Sequence, residues 1–128
     1  MKFTILSLVG ALSLVAVQAH AADVKSEIVN AETHAGLAAG AADLDGVHMH
    51  LHHTLNCLVG PNGAGFDAKQ MNPCANSGNG AIPDTTDAAK KAKLQAAADK
   101  AKGGIAENNL AAAQKDATDI AAMLKADE

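Results

Sequence analysis

Leu37, Leu44, Leu51 and Leu58 recur every seven residues, and Ala41, His48 and Leu55 fill the intermediate positions. A stripe of that period is the inward seam of a helix in a bundle. The stretch before it, from about Asp23 toward Gly40, is Ala-rich and poor in turn residues, with Val24, Ile28 and Leu37 as larger apolar positions. It reads as a first helix. Gly36, Gly40 and Gly46 interrupt the span, so the pattern fits either one long bent helix or two helices broken near Gly40.

From Gly60 to Pro83 the periodicity stops, and Gly60-Pro61-Asn62-Gly63, Gly65, Asn72-Pro73, Ser77-Gly78-Asn79-Gly80 and Pro83 follow in quick succession. This predicts a long Gly/Asn/Pro-rich loop over 60–83, and a loop of that length in a small domain needs a tether or a function. Asp84-Thr85-Thr86 offers N-caps for a helix to about Lys102, which Gly103-Gly104 should stop, turning the chain into a hairpin. In the last helix Ala106, Leu110, Ala113, Ala117, Ile120 and Leu124 alternate by four and three, a small-residue seam that lets a neighbour approach closely. The fold class expected is all-α, a small antiparallel bundle of four helices over 22–128, with one long loop.

The N-terminus reads as an export signal over 1–21. Met1-Lys2 gives a charged start, Phe3 to Val17 an apolar run too short for a stable membrane span, and Ala19-His20-Ala21 a small-residue cleavage pattern. Cleavage before Ala22 leaves a chain with no membrane anchor, in the periplasm or secreted. Cleavage after Ala19 leaves His20 at the terminus, itself a copper ligand. The remaining chain is one domain near the lower size limit for a single core. It lacks Trp, Tyr and Arg, so its Ala-rich core is thin and a disulfide or metal would contribute a large share of its stability.

The net charge of −4 and the lack of aromatic stacking platforms argue against nucleic acid as a partner. Lys90, Lys91, Lys93, Lys100 and Lys102 are interleaved with Ala and Asp and read as a solvated helix face.

Residues 48 to 57, His-Met-His-Leu-His-His-Thr-Leu-Asn-Cys, hold the chemistry. Imidazole and soft sulfur bind late transition metals, whereas a solvated helix face normally carries Lys, Glu and Gln. His48, His50, His52 and His53 are the main candidate ligands, with Met49 and Cys57 next and His34 behind them. His48 and His52 are one turn apart, and Met49 shares a face with His52 and His53, a set suited to Cu, Zn or Ni, with the thioether favouring Cu. His34 would face His48 if the chain folds back near Gly40. Asp43 and Asp45 lie about one turn before His48 and could hold an imidazole in one tautomer. Met71 and Met123 read as packing residues.

Cys57 and Cys74 have two readings. In an oxidising compartment they form a disulfide closing a modest loop, worth about 3 kcal/mol in the chain-entropy model. Reduced, Cys57 continues the His50, His53 stripe and Cys74 completes a tetrahedral set from the loop.

A cleavable signal, an Ala-rich helical body with a helix-Gly-helix hairpin from about Lys93 to Leu124, and helically spaced histidines together resemble the bacterial periplasmic small metal-binding proteins, His-rich and copper-associated. The resemblance implies a four-helix bundle that buffers or carries copper and other divalent ions. The hairpin lacks the histidines that family scatters along it, and Leu-His-His-Thr-Leu-Asn-Cys-Leu-Val-Gly-Pro has no counterpart there. The residues show no catalytic motif, so the expectation is a non-enzymatic metal buffer, store or chaperone, with a homodimer sharing a metal as one form. Two alternatives stand beside it: a haem-binding electron-transfer bundle using His48 and Met123 or Met49, and a disulfide-stapled structural or partner-binding protein without metal.

Overall fold

The computed structural model describes residues 21–128; the expected signal before Ala21, with His20, lies outside the described residues. Five helices form: α1 (Val24–Ala39), α2 (Leu44–Val59), the single turn α3 (Ala81–Asp84), α4 (Ala88–Ala106) and α5 (Leu110–Lys125). Each long helix starts where a short acceptor side chain satisfies an otherwise unpaired backbone N–H. Asp23 accepts from Ser26 N at 2.9 Å, Asp43 from Gly46 N at 2.8 Å, Asp87 from Lys90 N at 2.7 Å and Asn109 from Ala112 N at 3.0 Å.

The Asp43 cap decides the question left open by the glycines. The chain breaks after Gly40 and α2 starts afresh. The seven-residue leucine period therefore does not lie on one seam: Leu51, Leu55 and Leu58 are buried, while Leu37 is 49% exposed on α1.

The four long helices form the expected all-α bundle, packed in the cycle α1, α2, α4, α5, with α2 and α5 also touching across it. Adjacent helices run antiparallel, as two contacts show. His48 near the start of α2 reaches the Glu107 carbonyl at the end of α4, and Gln114 early in α5 donates to the Ala41 carbonyl just past α1. The core is small-residue packing: Ile28, Ala31, Ala35 and Ala38 from α1 meet Ala113, Ala117, Ile120 and Leu124 from α5, with Leu51 and Leu58 of α2 and Leu94 of α4 as larger fillers. The lysines of α4 face solvent and acids as expected, Lys93 on Asp127 and Lys100 on Asp116 and Asp119. Among the described residues no helix is long and apolar enough to cross a membrane.

Gly103-Gly104 does not stop the helix, contrary to expectation. α4 runs through both to Ala106, and Gly104 packs closely on α2: a Cβ there would lie 2.7 Å from Leu51 Cδ1. Close packing outweighs the helix propensity lost, about 1 kcal/mol per glycine. Asp84 does not cap α4 either. Its carboxylate accepts from the backbone and side-chain amides of Asn79 at 2.6 and 3.2 Å and braces the loop.

The long loop is held from α2. Asn56, fully buried, accepts from Asp67 N at 2.9 Å and donates to the carbonyls of Asp67 at 3.0 Å and Met71 at 3.1 Å. The next residue, Cys57, forms a disulfide with Cys74, so the first of the two sequence readings holds and no thiolate remains. At the loop ends the backbones of Gly60 and Gly80 cross, both at positive φ, and a side chain on either would strike the other strand. Beneath this crossing lies Glu27, fully buried, whose Oε1 accepts from Gly80 N at 2.8 Å while Oε2 has no partner. Burial pushes its carboxyl up to about 7; the Gly80 bond opposes the shift and the nearby Asp84 and Asp23 add to it.

Candidate metal centre

α1 and α2 form a hairpin whose outer seam holds three imidazoles. His50 and His53, three residues apart, project from the same side of α2, and His34 meets them from α1. Thr54 sets the pairing: its buried hydroxyl is shared between the Ala31 carbonyl across the seam at 3.2 Å and the His50 carbonyl in its own helix at 3.0 Å.

The rings form a near-regular triangle, with centroids 5.5 Å apart for His34 and His50, 5.0 Å for His34 and His53, and 5.6 Å for His50 and His53. His34 Nδ1 and His50 Nδ1 are 3.3 Å apart, and each of the three residues offers a ring nitrogen within 4.8 Å of the other two. His53 is 5% exposed and its Nδ1 has no hydrogen-bond partner, whereas His34 and His50 are half-buried. Burial drives the His53 pKa down to about 4, helped by its neighbours His34, His50 and His52. His34 is lowered too, by burial and then by His50. Both are therefore neutral at pH 7, the form that offers a lone pair to a metal.

The remaining sequence candidates go elsewhere. His48 Nε2 donates to the Glu107 carbonyl at 2.9 Å and ties α2 to the end of α4. His52 Nδ1 stands 3.8 Å from the Asp67 carboxylate on the opposite flank. Cys57 is consumed by its disulfide, and Asp43 by its cap. Met49 is 41% exposed, one residue before His50 and one turn before His53. His34 does face α2 across a fold-back near Gly40, but its partners are His50 and His53 rather than His48. The three-residue spacing of His50 and His53 was the sequence signal for that pairing.

The chain also carries a cleft of about 290 Å³ between the loop and α4, lined by Val59, Ile82, Pro83, Gln95 and Lys102 among others. No histidine is among the residues that line it. Comparison with known protein families, curated proteins and solved structures finds no match to the chain.

Proposed function

We propose that the protein binds a transition-metal ion, copper ahead of zinc or nickel, through His34, His50 and His53, and that it buffers, stores or hands on that ion in the periplasm without turning over a substrate. The observation that carries this is the convergence of three imidazole nitrogens within 4.8 Å, two of them 3.3 Å apart. A buried imidazole nitrogen without a partner, as at His53, is costly, and a bound ion removes that cost. Three ligands also leave at least one coordination position open for exchange with a partner or a second chain, as suits a carrier.

Titration of the exported chain with Cu(II) and Zn(II) under native mass spectrometry tests the reading. One ion per chain, lost on His53→Ala and on His34→Ala, is the expected result. A chain that takes up neither ion would leave the disulfide-stapled structural reading in its place, and uptake that survives both substitutions would move the ion to a different site.

A further inference from the structure

Four large apolar side chains stand exposed among the described residues: Val29, Leu37, Met49 and Met71. Two of them sit beside the histidines on the helices that carry the triangle. Leu37 lies three residues after His34 on α1, and Met49 one turn before His53 on α2. Met71 comes from the loop, and its backbone is held near the end of α2. Asn56, three residues past His53, donates to the Met71 carbonyl at 3.1 Å, and the next helical residue, Cys57, holds Cys74. Met71 is thus pinned between two anchors one turn beyond His53. Met71 is 56% exposed and, contrary to the sequence expectation, is no packing residue of the core, whereas Met123 packs on the core as the sequence suggested.

We infer that the thioethers of Met49 and Met71 complete the three-histidine site and select a soft monovalent ion, copper(I), over zinc(II); this rests on the three-histidine reading above. Thioether sulfur is a soft, neutral donor that favours copper(I) and adds little to zinc(II). Imidazole and thioether are uncharged donors and suit a low-charge ion, and no carboxylate joins the three histidines among the described residues. Methionine is flexible, so the loop residue can reach the ion when it binds and withdraw when it leaves.

Silver(I) serves as the probe, standing for copper(I) without a reductant that would open the disulfide. Dissociation constants for silver(I) and zinc(II) are measured by competition on wild type, Met49→Leu, Met71→Leu, the double variant, and Met123→Leu as a core control. Because Met49 and Met71 are exposed, the leucine variants keep the fold, which circular dichroism verifies. The expected result is a loss of silver(I) affinity of about tenfold or more in the Met49 and Met71 variants, largest in the double variant, with zinc(II) affinity unchanged. Silver(I) affinity unaffected by the double substitution, or silver(I) and zinc(II) falling together, overturns the inference while leaving the histidine site intact. Loss of His53 without effect on zinc(II) instead strikes the underlying three-histidine reading.

Discussion

His34 and His50 approach each other Nδ1 to Nδ1 at 3.3 Å, across two helices and sixteen residues of sequence. Two nitrogens on a tetrahedral ion with bonds of about 2.0–2.1 Å would stand about 3.3 Å apart, so this pair already has the spacing of two ligands. In the metal-free chain one ring donates to the other, which keeps both turned inward.

This contact separates two groups of histidines that sequence density alone would merge. His34→Ala and His53→Ala are expected to lower zinc(II) affinity by more than about 100-fold, beyond the loss typical of removing a supporting partner. His48→Ala and His52→Ala should stay close to wild type in isothermal titration. His48→Ala should instead cost about 1 kcal/mol of stability, because the Glu107 carbonyl loses its donor.

Gly103 and Gly104 are neighbours in sequence with opposite roles. A Cβ on Gly103 meets nothing within 4 Å, whereas one on Gly104 lies 2.7 Å from Leu51 Cδ1 and 3.3 Å from Asp116 Cβ. Leu51 is fully buried, so a shift of its side chain must be made within the packed core. Gly103→Ala should therefore stabilise the protein by up to about 1 kcal/mol, and Gly104→Ala destabilise it by about 1–3 kcal/mol, read from urea midpoints. Equal effects at the two sites would mean that α4 does not approach α2 as described.

Glu27 makes stability fall as pH rises. Its carboxyl titrates at about 7 in the folded protein against an ordinary value of 4.5, so folding takes up a proton between those limits. Its favourable contribution is complete below the unfolded value and is lost as pH rises through the folded one, a difference of about 3 kcal/mol. Glu27→Gln removes the ionisation. Denaturation of both proteins from pH 4 to 8 should show wild type losing ground to the variant as pH rises; parallel curves would mean that the carboxyl ionises normally.

The disulfide supports the fold without supplying a ligand. Cys57 and Cys74 are 17 residues apart, and opening the link should cost about 3 kcal/mol, lowering Tm by about 15 °C in a domain of this size. The double substitution Cys57→Ala/Cys74→Ala should still bind one zinc(II) per chain when measured below its Tm. A variant that folds but binds none would return the cysteines to the site.

The sequence reading succeeded where a local pattern and the bundle agree. Ala113, Ala117, Ile120 and Leu124 of the four-and-three alternation are the buried face of α5, whereas Ala106, read into the same seam, ends α4 and is exposed. It was ambiguous for the leucine repeat, because a seven-residue period is the same in one helix or in two, and only the Asp43 cap shows the break. It failed at Gly103-Gly104, where a tertiary contact with Leu51 overrides a local stop signal. At the candidate site, the density of histidines marked the segment that supplies two of the three clustered imidazoles, but not its division. Successive helical residues rotate by about 100°, so His50 and His53 share a flank while His48 and His52 turn away. Which flank meets α1 depends on packing. The exposure of Met71 was hidden because it depends on where Asn56 anchors the loop.

His34, His50 and His53 all belong to the α1–α2 hairpin, whose helices are joined by residues 40–43 alone. Closing so short a connection is fast and entropically cheap compared with docking the second helical pair. The three donors can therefore converge on a nascent hairpin while the C-terminal half is still unstructured, and an ion seated there would hold the two helices in register. Metal-loaded chains should then refold faster than metal-free ones, with the ion acting as a nucleus for the bundle before it becomes its cargo.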